Sequence, residues 1–117
     1  MENQMYPKPS GDLHRKRQEL APDIAAAFKA FGESVFADGA LPGKTKELIA
    51  VAVAHVTQCP YCIRGHTESA LRKGATQQEL MDAIWVASEM RAGAVYAHSN
   101  LALDTMNQVA ARQAPAS

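Results

Sequence analysis

Apolar residues recur at three- and four-residue intervals along most of the chain, the period of a helix with one buried face. From Asp12 to about Phe36 the series is Leu20, Ile24, Phe28, Phe31 and Val35. Pro22 interrupts it, since a proline inside a helix removes a backbone donor and clashes with the preceding turn. Two helices meeting at Pro22 are therefore predicted. The stretch ADGALPGK, residues 37–44, has two glycines and a proline and reads as a loop. Thr45 to Gln58 is apolar on nearly every side, with Leu48, Ile49, Val51, Val53 and Val56 interleaved with alanines. A buried strand is the rival reading of VAVAHV, but its length and alanine content favour a central helix.

Pro60 ends that segment and opens another, which runs to about Lys73 and closes at Gly74 in a capping position. Thr76 followed by Glu79 forms a capping box for the last helix. Leu80, Ala83, Ile84, Ala87 and Met90 share one of its faces, and the pattern resumes through Ala94, His98, Leu101 and Leu103 to about residue 110. Gly93 is the expected place for a break. The reading is an all-α, single-domain helical bundle over residues 12–110, with an extended arm at 1–11 and a frayed tail at 111–117. The alanine-rich faces of the central and last helices suit packing between subunits or within one chain.

Composition narrows the function. Of the 117 residues, 47% are hydrophobic and 21% charged, ordinary for a globular protein. Twelve basic residues balance twelve acidic ones, which supplies no field for nucleic acid or anionic lipid. The cluster from His14 to Arg17 is followed by Glu19 and reads as a solvated helix face. No segment approaches the roughly 20 apolar residues that span a bilayer. The opening MENQMYPKPSGD lacks the apolar stretch of a secretory signal, and its methionine start suggests an essentially complete chain. The expectation is a cytoplasmic protein without membrane or nucleic-acid partners, in a compartment that keeps thiols reduced.

The candidate chemistry lies in CPYCIRGH, residues 59–66, which contains both cysteines. Proline at 60 pushes Cys59 out of the helical region and starts a helix, so Cys59 is expected at the N-cap and Cys62 in the first turn. That spacing brings the two Cα atoms to about 5–6 Å, within disulfide range. The helix start stabilises a thiolate, lowering a thiol pKa from about 8.5 toward roughly 3.5–7.5. His66, one turn beyond Cys62, is in position to act as a base. Together these features describe a redox dithiol, with Cys62 the thiol expected to be activated by His66. A zinc site and an inert pair are the alternatives. Zinc would draw on His55, Cys59, Cys62 and His66, but on a continuous helix the two histidines are about 16 Å apart, too far for one tetrahedral ion. His55 and His98 otherwise read as structural, Trp85 and Met90 as core or interface, and Tyr61 and Arg64 as residues flanking the dithiol.

Glu47, Cys59, Cys62 and His66 form the longer pattern E-x₁₁-C-x-x-C-x₃-H, within KELIAVAVAHVTQCPYCIRGHTESALRKGAT. Over about residues 40–105 the chain thereby resembles the carboxymuconolactone decarboxylase superfamily and, within it, the AhpD-like alkylhydroperoxidases. The resemblance implies an all-helical protomer that assembles into homo-trimers or homo-hexamers. It implies a peroxidase or disulfide reductase with a Cys59–Cys62 redox pair and no other cofactor or metal. It also implies a His66–Glu47 proton relay, a small hydroperoxide as substrate, and a lipoyl or thioredoxin-like dithiol as reductant. Spacing alone would leave Glu47 a solvated carboxylate beside Lys44 or Lys46. The family's decarboxylase branch does not use a cysteine pair, so the pair's presence argues against a lactone-type acid–base reaction, which is one alternative; a non-enzymatic redox sensor or scaffold is another. Tyr61 stands where the best-known hydroperoxidases of the family have a second histidine, a departure expected to weaken peroxide turnover or change the reducing partner.

Overall fold

The computed structural model describes residues 5–115. Residues 1–4 of the expected arm and 116–117 of the expected tail lie outside the described residues. Among the described residues there are five helices and no strand: α1 (Gly11–Leu20), α2 (Pro22–Phe36), α3 (Gly43–Thr57), α4 (Pro60–Arg72) and α5 (Gln77–Gln113). The chain divides into two units, one through Gly39 and one from Ala40.

In the first unit Ser10 caps α1 by accepting the Leu13 N–H at 3.2 Å. Pro22 separates the two helices as its chemistry requires, occupying the first turn of α2 where no backbone donor is needed. The two helices pack on each other, and neither buries a residue.

The second unit holds the core. There α3 packs against α4 and α5, and α4 touches α5. Val51 of α3 and Ala70 of α4 are completely buried, joined by Ala75 and Leu80, with Leu48 and Ile84 packed alongside. Alanine at position 70 lets the helices approach closely, so Val51 can fill the space between them. The turn from α4 into α5 is fixed by Gly74, whose φ of 92° lies in the left-handed region. This allows the Ala75 N–H to reach back to the Ala70 carbonyl at 2.9 Å and the Gly74 N–H to reach Leu71 at 3.0 Å, the paired bonds that close a helix. Thr76 then accepts the Glu79 N–H at 3.0 Å while the Glu79 carboxylate accepts the Thr76 N–H at 2.8 Å, the expected capping box. Lys44 donates to the same carboxylate at 3.0 Å, tying the start of α3 to the start of α5.

Three expectations are corrected. The first turn of α3 begins at Gly43, inside the segment read as loop, because Pro42 is extended and a glycine is tolerated in a first turn. Gly93 does not break the last helix, which continues to Gln113, about 55 Å in all. A glycine keeps its backbone N–H and costs only about 1 kcal/mol relative to alanine, too little to end a helix this long. Finally, α3 is not covered on all sides: Val51 and Ala54 are buried, whereas Ile49, Val53 and Val56 are exposed. Only the face toward α4 and α5 is packed.

Candidate active site

Cys59 is placed by two backbone decisions. Gln58 adopts a left-handed conformation, φ 59°, which ends α3 and turns the Cys59 N–H back onto the Ala54 carbonyl at 3.1 Å. Pro60 then starts α4, leaving Cys59 extended at its N-cap. In that position a serine would accept a backbone N–H through its hydroxyl; here the sulfur does so, with the Cys62 N–H donating to Cys59 Sγ at 3.2 Å. The same turn brings the two sulfurs to 2.6 Å, and both are free thiols, each half-buried.

The two thiols are within hydrogen-bonding distance, and their surroundings shift them in opposite directions. The Cys62 thiol, donating to Cys59, lowers the Cys59 pKa, and the Cys62 N–H adds to the effect. Cys62 shifts the other way: its proton is held by Cys59, burial disfavours its charge, and a thiolate at Cys59 repels a second one. The negative charge therefore settles on Cys59, at the positive end of α4. Sequence spacing pairs His66 with Cys62, one turn before it, while the N-cap sulfur of Cys59 collects the helix donors.

Glu47 comes from α3, antiparallel to α4, and this packing closes the long gap in sequence. Its Oε1 lies 2.7 Å from His66 Nδ1. Glu47 is only 3% exposed, whereas the His66 side chain is 32% exposed. The carboxylate is thus not the solvated partner of Lys44 or Lys46 that spacing alone allows. The Glu47 contact fixes a tautomer: with Nδ1–H donating to the carboxylate, His66 keeps its Nε2 lone pair as a base. The second carboxylate oxygen, Oε2, is 3.8 Å from Lys73 Nζ at the end of α4.

Sequence reading missed Lys73. The signal was available: antiparallel helices joined by a short turn bring the end of α4 alongside the start of α3, where Glu47 lies. The structure does not bring His55 or His98 into this cluster. His55 Nδ1 is 2.8 Å from the Val51 carbonyl on its own helix. His98 lines an open groove beside α5 with Val56, Met90, Arg91 and Val95, where Arg91 donates to the Val56 carbonyl at 2.8 Å. Trp85 and Met90, read as core or interface, are exposed at 65% and 62%. Among the described residues no group of three or more histidine, cysteine or carboxylate side chains is arranged to hold a metal ion.

This fold has counterparts. The carboxymuconolactone decarboxylase family profile matches residues 22–105. The chain belongs to that family. It is similar to an uncharacterised protein of the cox locus of Paracoccus denitrificans, 56% identical over 103 residues that cover 88% of this chain and 92% of the relative. A crystal structure from Methanobacterium thermoautotrophicum superposes with a TM-score of 0.67 at 38% identity, covering 71% of this chain and 93% of that one. Another, a carboxymuconolactone decarboxylase family protein of Thermotoga maritima suggested to be involved in an antioxidative response, gives 0.56 at 26% identity, covering 81% and 86%. The family includes enzymes, and this member has the cysteine pair. Among the described residues no helix is long and apolar enough to cross a membrane.

Proposed function

We propose that this family member is a thiol-dependent hydroperoxide reductase, cycling Cys59 and Cys62 between dithiol and disulfide in the cytoplasm. The observation that carries the reading is the pair of free thiols with sulfurs 2.6 Å apart at a helix N-terminus, one sulfur favoured as thiolate. A permanent structural staple has no use for a stabilised thiolate; a nucleophile does. The antioxidative response suggested for the Thermotoga relative agrees with this chemistry.

The Cys59 thiolate attacks the terminal oxygen of a hydroperoxide. The O–O bond breaks, an alkoxide leaves, and it takes up the proton that Cys59 had released, giving an alcohol and a sulfenic acid on Cys59. His66, its Nδ1–H held by Glu47, removes the Cys62 proton through Nε2. The Cys62 thiolate attacks the Cys59 sulfur, and the displaced hydroxide takes the proton back from His66 and leaves as water. One peroxide and two thiols thus become one alcohol, one water and one disulfide. An external dithiol, a lipoyl group or a thioredoxin-like protein, then reduces the disulfide by exchange through a mixed disulfide. Tyr61, 39% exposed beside the pair, shapes the approach of peroxide or reductant. The protomers associate into a homo-trimer or homo-hexamer.

Peroxide-dependent oxidation of dihydrolipoamide tests the proposal. Turnover is expected to vanish in Cys59→Ser and in Cys62→Ser, and to fall about 10²–10⁴-fold in His66→Ala. Unchanged turnover in all three variants rules it out, and a lactone reaction surviving in both cysteine variants would favour acid–base chemistry instead.

A further inference from the structure

The relay described above uses one oxygen of Glu47 and leaves the other to Lys73. Glu47 is a buried carboxyl residue, 3% exposed, and a carboxylate removed from water needs a compensating positive charge. Two groups are placed to supply it: His66 at 2.7 Å from Oε1 and Lys73 at 3.8 Å from Oε2. Lys73 meets one oxygen with an ammonium group, and His66 meets the other with a ring nitrogen.

We infer that Lys73 is a positioning residue that, by matching the buried charge of Glu47, keeps His66 in its neutral, proton-accepting form. The inference rests on the proposed role of His66 as the base for Cys62. The other charged groups around the dyad are accounted for by element. From α3, Lys44 is engaged by Glu79 and Lys46 lies one residue before Glu47. From α4, Arg72 is paired with Glu68 at 2.9 Å, and the cysteine pair lies at the opposite end of the helix. From α5, Glu79 is the group turned toward α3, and Lys44 and Thr76 hold it. Removing Lys73 leaves Glu47 with His66 as its nearest source of positive charge. The imidazole then gains a proton at higher pH than before, and a protonated imidazole cannot take one from Cys62.

The test is an NMR titration of the His66 ring in the reduced, full-length protein, comparing wild type with Lys73→Met and Lys73→Arg. Lysine 73 is 39% exposed at a helix end, so its replacement should leave the fold intact; Lys73→Gln serves in place of Lys73→Met if that variant misfolds. The His66 midpoint is expected to rise by about 0.5–1.5 pH units in Lys73→Met and to stay at the wild-type value in Lys73→Arg. The acid limb of dithiol oxidation should move up with it. A His66 midpoint unchanged in a folded Lys73→Met or Lys73→Gln protein overturns the inference. The titration needs no substrate. Absent turnover in the wild type would sink the proposed function, whereas an unmoved His66 with normal turnover would sink only the role of Lys73.

Discussion

At the scale of single residues, the two cysteines differ because one caps a helix and the other lies inside its first turn. Cys59 receives hydrogen bonds from the Cys62 N–H and thiol; Cys62 loses its proton only against a neighbouring negative charge. Iodoacetamide should therefore modify Cys59 first, with a rate that rises through a midpoint below the usual thiol value of about 8.5. Cys62 should react only at higher pH. Replacing Cys62 with alanine removes the side-chain donor and should move the Cys59 midpoint upward, which alkylation rates followed by peptide mapping will show. His66 and Glu47 add the second half of the site. Their 2.7 Å contact links positions 19 apart in the chain, and helical spacing along α4 does not reveal it. The pattern shared with known hydroperoxidases did point to Glu47; the spacing of the residues alone did not.

At the scale of elements, the strong local signals translate directly into structure. Pro22 and Pro60 begin helices, Gly74 closes one, and Thr76 with Glu79 caps the last, because each of these depends on a few neighbouring backbone groups. Weaker signals lose to their surroundings: Gly93 is absorbed into α5, and Gln58 takes a left-handed turn that its residue type does not announce. That turn gives a stability prediction. A non-glycine residue in the left-handed region costs about 1 kcal/mol, so Gln58→Gly should stabilise the protein by about 0.5–1 kcal/mol in urea unfolding, with Cys59 still at its N-cap. Glu79 gives a pH prediction. Its pKa is lowered by the Thr76 N–H and by Lys44, so its ionised form favours the fold. The stabilisation is complete above the unfolded carboxylate pKa of about 4.3 and is lost as pH falls through the lower folded value. Thermal midpoints of wild type and Glu79→Gln should differ at neutral pH and converge in acid.

At the scale of the whole molecule, hydrophobic period marks which residues can be buried but not what buries them. Leu80 and Ala87 of α5 pack inward as their spacing suggests, and Val51 anchors the centre, so Val51→Ala should cost about 2 kcal/mol. Further along the same helix Val95, Tyr96, Leu101 and Met106 are exposed, as are Ile49 and Val53 on α3. A sequence records no distinction between a face that packs within its own chain and one that packs on another. If subunits cover these faces, light scattering at micromolar concentration should return a trimer or hexamer, and Leu101→Glu with Met106→Glu should shift it toward monomer. The central claim, that the dithiol is chemically active, is independent of assembly. It is tested most directly by mixing reduced protein with one equivalent of an organic hydroperoxide and following thiols, alcohol and intact mass together. The account predicts loss of both thiols, one equivalent of alcohol and a protein lighter by two hydrogens, all restored by a dithiol. Persistence of both thiols, with the peroxide unconsumed, would contradict it.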